Sequence, residues 1–326
     1  MLSNLRMFRG ESAWQYDLGT LSGPLASVSR AQGLLLGRLA DVSPTLRNQA
    51  CLAALTADVV RSSEIDGEVL AGEAVQSSLA RRLGLDGVAP GTADPRVDSP
   101  VEMLLDATAR AAEPLTAERL QGWHGAPVVP ASTAELQRFI DWANAEGSDP
   151  PLVKAGLAQL WFMTLHPFHQ GNGRTARAVG DLFLARADGS PQRFYSLSAQ
   201  IQRERSDYYD ILGRTQQGDA DVTPWLLWFL EALGRALQRA QAAADHVLAK
   251  SRFWQRWAST PMNERQVKLL NRLLDGLDGR ITSSTWARIA GCSPDTALRD
   301  ITELMAAGVL MKLPGGGRST GYRLTD

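Results

Sequence analysis

Cysteine is almost absent from this chain, which has only Cys51 and Cys292 among its 326 residues. Because the two lie far apart in segments with helical patterning, buried thiols in a reducing compartment are favoured over a disulfide or a metal site. Long apolar runs are missing too, since none approaches the roughly 20 residues that a membrane-spanning helix needs. The first ten residues contain two arginines but no apolar core or cleavage site, which argues against a secretory signal. We therefore expect a cytoplasmic protein with no membrane partner.

An excess of charge of one sign is also lacking, because 34 basic and 35 acidic residues leave a formal net charge of −1. Such a chain has no general attraction for nucleic acid or anionic membranes. Hydrophobic residues make up 44% of the chain and charged residues 21%, as is typical of a globular protein of two or three domains.

Apolar residues recur every three or four positions through most of the chain, which predicts a mostly α-helical fold. Residues 84–100 contain three glycines and three prolines, so a loop is predicted there. The helices predicted in residues 1–257 are 18–39, 44–60, 100–112, 116–123, 132–145, 151–165, 174–186, 206–216 and 224–257.

The last part of the chain changes character, since short helical segments are followed by two strand-like segments around a glycine-rich turn at 314–318. Three helices and a hairpin, in this order, resemble a winged helix-turn-helix. The predicted helices are 263–274, 284–289 and 293–305. We therefore divide the chain into an N-terminal helical extension (1–95), a central helical core (96–257) and a winged helix (258–326).

One segment, LHPFHQGNGRTAR at 165–177, combines a histidine at a predicted helix end with a glycine-rich loop and a second helix. Backbone N–H groups of such a loop and the positive end of the following helix form a cradle for phosphate oxygens. Arg174 and Arg177 share one helix face and present two guanidinium groups to the same anion. Histidine is the side chain best suited to abstract a proton near neutral pH, which makes His166 a candidate base. Alternatively, His166 only caps a helix and the arginines form surface ion pairs.

This segment resembles the signature of the Fic family, His-x-Phe-x-acid-Gly-Asn-Gly-Arg-x-x-Arg, in order and without gaps. The stretch 194–201 and the pair Tyr208-Tyr209 also resemble the region after the signature in bacterial Fic proteins with an N-terminal extension and a C-terminal winged helix. The resemblance covers most of residues 10–326 and implies an all-helical Fic core.

The resemblance implies transfer of a nucleoside monophosphate, usually AMP from ATP, onto a hydroxyl of an acceptor. His166 would take the proton from that hydroxyl, and backbone amides of 171–173 would stabilise the α-phosphate. The nucleotide-binding residues implied in this way are Gly171, Asn172, Gly173, Arg174, Arg177 and Tyr209. Phe168 is expected to fill the core, and His169 to face solvent rather than bind a metal.

The chain departs from the family at Gln170, where Fic proteins carry the acid that binds Mg²⁺. A neutral amide lacks the charge that a hard divalent cation favours, so Mg²⁺ binding is expected to be weakened. A second departure is the segment 125–131, because seven residues with two prolines cannot supply the β-hairpin on which family members dock an extended target. The acceptor, whether protein or small molecule, is not defined by the sequence.

The segment Arg61-Ser62-Ser63-Glu64-Ile65-Asp66-Gly67 resembles the autoinhibitory motif of the family, with Ser62 and Gly67 in place and Asp66 instead of glutamate. The resemblance implies that Asp66 pairs with Arg177 and opposes productive triphosphate binding. Alternatively, Gly67 simply ends a helix whose carboxylates are solvated.

The sequence leaves two classes of function open: an atypical AMP transferase, or a Fic fold that binds a nucleotide or partner and acts through its C-terminal module. DNA binding by that module is also open, because helix 293–305 holds one arginine against three acids, whereas the wing carries three basic residues. The tryptophans of 224–257 are expected to pack in the core, although an outer stripe of this helix could also form a homodimer.

Overall fold

The computed structural model describes the backbone of residues 2–5 and full residues 14–40, 42–85, 94–274, 276, 281–314 and 320–325. The chain forms two compact units, Met1–Ala242 and Ala243–Asp326. Most described residues are helical, which confirms the predicted fold class. Within the described part of the chain, no helix is both long enough and apolar enough to cross a membrane.

The first unit begins with a small antiparallel pair of strands, in which Leu2 lies opposite Asp17. Helices come next, connected mostly by short loops. The elements are β1 (Leu2–Leu5), β2 (Trp14–Asp17), α1 (Leu18–Ala40), α2 (Pro44–Ile65), α3 (Gly72–Arg82), α4 (Pro95–Ala109), α5 (Ala117–His124), α6 (Thr133–Asn144), α7 (Pro151–Leu165), α8 (Asn172–Asp188), α9 (Leu197–Arg203), α10 (Arg205–Gln217) and α11 (Thr223–Arg256).

The core of this unit is built around α7, whose residues from Leu152 to Phe162 are almost all buried. Gly156 lets α11 approach closely, since a Cβ there would lie 3.0 Å from Leu226 and Phe229 side-chain atoms. Gly180 of α8 does the same for α7, because its Cβ would lie 2.7 Å from Gln159 Oε1. The loop that joins α7 to α8 is therefore held at both ends by well-buried helices.

Helix α2 is one turn longer than predicted, since it ends at Ile65 and not at residue 60. Ser62, Ser63 and Ile65, which lie in this added part of the helix, are all buried. Gly67, with φ of 87°, then reverses the chain, and Glu68 N donates to Ser63 O.

The predicted loop 84–100 was too long, because α4 begins at Pro95. Asp94 accepts a hydrogen bond from Arg96 N and Pro95 occupies the first turn, which together start a helix. Residues 86–93 of this loop lie outside the described residues. Strands β1 and β2 and the helices α3 and α9 were not predicted at all; α9 has only seven residues.

The second unit contains the end of α11, then α12 (Glu264–Leu274), α13 (Ser283–Ala290), α14 (Pro294–Ala306), β3 (Leu310–Lys312) and β4 (Tyr322–Leu324). Strands β3 and β4 pair antiparallel, with Leu310 opposite Leu324. The unit begins at residue 243, earlier than the predicted boundary at 258, because Trp254 and its neighbours on α11 pack against this unit's own core. The glycine-rich tip lies almost wholly outside the described residues.

Candidate functional site

Helix α7 is capped at its C-terminal end by His166, which adopts the left-handed conformation with φ of 47°. It is the one non-glycine residue with positive φ among those the structure describes. Its side chain is exposed, and no described residue forms a hydrogen bond with the imidazole. The candidate base is thus accessible from solvent.

The loop after His166 is closed by Asn172, whose side chain is 4% exposed. Its Oδ1 accepts from Phe168 N at 3.0 Å, and its Nδ2 donates to Phe168 O at 2.7 Å. Phe168 itself is buried, as predicted. Because both polar atoms of the amide are used in this way, Asn172 holds the loop in shape, and its contact with phosphate stays a prediction.

We expect Asn172→Ala to destabilise the protein by roughly 2–4 kcal/mol, because two buried main-chain groups of Phe168 lose their partner. Asn144 offers a matched control, since it makes the same pair of bonds with Leu115 N and O, both at 2.8 Å. Urea denaturation should show the larger loss for Asn172→Ala, because Asn144 is exposed and water can replace its bonds, and only Asn172→Ala should weaken ATP binding. Equal effects of both variants on ATP would contradict the role assigned to Asn172.

Helix α8 begins at Asn172, two residues before the predicted start, with Gly171 in the left-handed conformation at its N-cap. No side chain caps this end of the helix. The first N–H groups of the helix and the positive end of its dipole are therefore available to an anion.

The end of α2 and the turn after it contact both signature arginines. Arg177 is 2% exposed; its Nη2 lies 3.0 Å from Asp66 Oδ2 and its Nε donates to Ser62 Oγ at 2.9 Å. Arg174 Nη2 lies 2.7 Å from Glu68 Oε2, and Arg174 Nε lies 3.8 Å from Asp66 Oδ2. The structure thus brings Ser62, Asp66 and Arg177 together, as the resemblance implied.

Glu68 was not predicted as part of this arrangement. The only signal in the sequence was an acid one residue beyond Gly67, and nothing in the local pattern indicated that it would reach Arg174. We refer to Asp66 and Glu68 as the carboxylate clamp.

Two guanidinium nitrogens remain without an acceptor among the described residues, namely Arg174 Nε and Arg177 Nη1, and both are buried. Gly173 lies next to them, since a Cβ there would be 3.2 Å from Arg177 Nη1 and 3.1 Å from Asp66 Oδ1. Buried donors without partners are costly, which indicates a place for anionic oxygens beside the start of α8.

An open cleft of about 710 Å³ lies over this end of α8. Its lining includes the carboxylate clamp, Arg174, Gln170 and His124. His169 also lines it and is exposed, in agreement with the prediction that it faces solvent. His166 is not among the lining residues.

The residues present do not form a good Mg²⁺ site. Gln170 is exposed and neutral, and the two carboxylates of the cleft are paired with arginines. Among the described residues, no group of three or more histidine, cysteine or acidic side chains has an arrangement that could hold a metal ion. A hard cation would find little negative charge here.

Tyr209, predicted to bind nucleotide, is 41% exposed, and its hydroxyl lies 3.5 Å from Ile65 O at the end of α2. Arg205 donates to the same carbonyl at 2.9 Å and lies over the Tyr209 ring. The neighbouring Tyr208 is buried, and this burial raises the pKa of its hydroxyl. Tyr209 is therefore accessible but engaged with the helix that carries the clamp.

Beneath the site, α2 and α8 share a buried charged network. Asp181 of α8 pairs with Arg193 at 2.7 Å, and Asp58 of α2 accepts from Ser198 N at 3.1 Å. Burial, followed by the nearby Asp58 carboxylate, raises the pKa of Asp181 well above its usual range.

The segment 125–131 contains no strand. Gly125 is left-handed and closes α5, and a short 3₁₀ turn, Pro130–Ser132, comes after it. Val129 N donates to Pro167 O at 2.8 Å. Docking of a target by strand addition is not supported by this geometry.

In the second unit, Asp300 of α14 is buried, although the sequence analysis counted it among the acidic residues of this helix. It is 2% exposed and binds Arg265 and Trp286 within the unit. Its charge therefore does not face solvent, and the exposed surface of the helix is less acidic than its composition suggested.

Comparison with known proteins finds matches to two family models. Residues 101–184 match the Fic/DOC family, so the chain contains a Fic/DOC family domain. Residues 12–85 match a domain of unknown function, DUF4172.

Curated relatives include the proteins named protein adenylyltransferase Fic from Drosophila willistoni and Drosophila melanogaster. Each is 33% identical over 104 residues, or 31% of this chain, which is 19% and 20% of the two relatives respectively. The chain thus matches about a fifth of the length of these relatives.

Two solved structures share the fold. A Fic family protein from Desulfovibrio desulfuricans has a TM-score of 0.50 and 21% identity, with 93% of this chain and 96% of that chain covered. A Fic domain containing signaling protein from Bacteroides thetaiotaomicron has a TM-score of 0.51 and 17% identity, with 68% and 97% covered.

Proposed function

We propose that this protein transfers AMP from ATP to a hydroxyl group. The observation that carries the proposal is the pair of buried guanidinium nitrogens, Arg174 Nε and Arg177 Nη1, without acceptors among the described residues beside the uncapped start of α8. Phosphate oxygens fit such donors in charge and geometry. The adenylyltransferase names of the Drosophila relatives support the same activity.

In the proposed reaction, the acceptor oxygen attacks the α-phosphorus and its proton passes to His166. The bond from the α-phosphorus to the bridging oxygen breaks, and pyrophosphate leaves. Arg174 and Arg177 hold the leaving phosphates, and main-chain amides of 171–173 oppose charge on the α-phosphate. The exposed imidazole of His166 is accessible to an acceptor that approaches from solvent.

The proposed enzyme is autoinhibited in this conformation. The carboxylate clamp occupies Arg177 Nη2 and Arg174 Nη2, which a triphosphate also requires. Productive binding therefore requires the turn after α2 to release the arginines, while Ser62 continues to accept hydrogen bonds from Nε and Nη2 of Arg177.

We expect Gln170→Glu to raise the Mg²⁺-dependent transfer rate about tenfold, equivalent to about 1.4 kcal/mol, because it restores a charged oxygen ligand. The substitution leaves the contact with His124 intact, because that contact uses the main-chain oxygen of residue 170 and not its side chain. Rates measured with labelled ATP at several Mg²⁺ concentrations give the test, with Gln170→Ala as the uncharged control. An identical rate for both variants would show that this position does not govern the reaction.

A second candidate function is a Fic fold that binds nucleotide without transferring it. The neutral Gln170 and the occupied arginines favour this alternative. Titration calorimetry with ATP, with and without Mg²⁺, followed by transfer of label from α-³²P-ATP, separates the two. Binding without transfer would support the second function, and the absence of binding would reject both.

A further inference from the structure

His124, the last residue of α5, contacts the signature loop although it lies more than forty residues earlier in the chain. Its ring stacks on Phe168, with the ring centroids 3.9 Å apart and the planes inclined by 7°. Its Nε2 lies 2.5 Å from Gln170 O. The half-buried side chain of His124 therefore contacts both the buried Phe168 and the main chain of the exposed Gln170.

The chain immediately after His124 contacts the start of the same loop. Gly125 turns the backbone out of α5 with φ of 74°, and Val129 N donates to Pro167 O at 2.8 Å. We call residues 124–129 the loop brace, because its two hydrogen bonds reach main-chain oxygens at either end of 167–170.

The hydrogen bond defines the tautomer of His124, since a carbonyl oxygen can only accept. Nε2 must carry the proton, so in the neutral ring Nδ1 carries none. Among the described residues, none bonds to the buried Nδ1. Gly171 allows this close approach, because a Cβ there would lie 2.9 Å from His124 Nε2.

The bond to Gln170 O also sets the direction of the next N–H group. In a trans peptide, the carbonyl of residue 170 and the N–H of Gly171 point in opposite directions. Since His124 holds the carbonyl, the Gly171 N–H is turned away from His124. Gly171 N–H is one of the amides proposed to face the α-phosphate.

We propose that His124 is a positioning residue, which orients the peptide between Gln170 and Gly171 for phosphate binding and thereby supports transfer. Its catalytic consequence rests on the proposed AMP transfer, whereas its effect on the loop does not. The segment 124–129 thus braces the phosphate-binding loop in this chain.

The test uses three variants of the full chain. His124→Phe keeps a flat ring against Phe168 but has no donor, and His124→Gln keeps an N–H near the position of Nε2. His246→Phe is the matched control, because His246 Nε2 makes the same kind of contact with Leu274 O, at 2.6 Å, in the second unit. Hydrogen exchange of amides 168–173 is measured first, and binding of a non-hydrolysable ATP analogue second.

We expect His124→Phe to speed exchange at Phe168, whose N–H donates to Asn172 Oδ1, and to weaken the analogue, each by roughly tenfold, as for the loss of one hydrogen bond. His124→Gln should recover most of both losses, and His246→Phe should change neither. Exchange and affinity equal to wild type in His124→Phe would overturn the proposal. So would a uniform rise in exchange through the first unit, since that indicates general destabilisation.

Failure of the positioning role and failure of the AMP-transfer function give different results. Wild type could neither bind the analogue nor transfer label while His124→Phe still speeds exchange only at the loop. This result would support the role of the loop brace and contradict the AMP-transfer function. If wild type transfers label and His124→Phe does so with unchanged kcat and KM for ATP, the positioning role is contradicted and the AMP-transfer function is supported.

Discussion

Replacing Asp66 and Glu68 together by alanine is expected to tighten ATP binding roughly 10- to 100-fold. The reason is that both signature arginines lose their carboxylate partners, and a hydrogen bond between charged groups contributes about 1.5–3 kcal/mol, where about 1.4 kcal/mol corresponds to tenfold. Most of the effect should come from Asp66, since its partner Arg177 is buried. Glu68 is half exposed, so solvent screens its bond to Arg174.

Titration calorimetry of the two single variants and the double variant measures this effect. Glu64→Ala is the control, because Glu64 lies on the last turn of α2 and pairs with Arg61 at the surface. It removes the same charge close to the clamp but leaves Arg174 and Arg177 occupied. If Asp66→Ala binds ATP no more tightly than Glu64→Ala, while melting temperatures are unchanged, the clamp does not restrain the arginines.

The parts of the site that are contiguous in sequence could be predicted. His166, the glycines of the loop and the two arginines lie within twelve residues, and helical spacing alone puts Arg174 and Arg177 on one face. The pairing of Asp66 with Arg177 was implied by the family resemblance and not by local spacing, because it joins α2 to α8 across more than a hundred residues.

Other contacts could not be predicted, since they depend on how helices pack. His124 reaches the loop only because α5 ends beside it, and Glu68 meets Arg174 only because Gly67 reverses the chain there. The bonds between the Asn172 amide and the main chain of Phe168 were likewise not predicted. Local patterns do not show which polar atoms a side chain will find in the fold.

Helix positions were predicted better than helix ends. The 151–165 prediction matches α7, whose capping is local: proline at the start and a left-handed residue at the end. The end of α2 was missed because Ser62 and Ser63 are buried against other helices, which makes polar residues part of an interior. Asp300 was counted as a surface charge for the same reason, although Arg265 and Trp286 bind it inside the second unit.

Removing the proposed base should have the largest effect on the reaction. We expect His166→Asn to lower kcat for AMP transfer about 10²- to 10⁴-fold, the usual contribution of a general base, and to leave ATP affinity within a factor of about two. Asparagine is preferred to alanine here because His166 has φ of 47°, and asparagine tolerates this left-handed conformation. The variant thus tests the imidazole and not the backbone.

His169→Asn is the matched control, because His169 is an exposed histidine of the same loop that lines the cleft. Single-turnover transfer from α-³²P-ATP measures the chemical step apart from product release. His169 borders the cleft, whereas His166 occupies the signature position, so the two variants discriminate between the two imidazoles. A large loss of transfer rate in His169→Asn, with a normal rate in His166→Asn, would identify His169 as the base. Small losses of rate in both variants would show that neither histidine acts as the base.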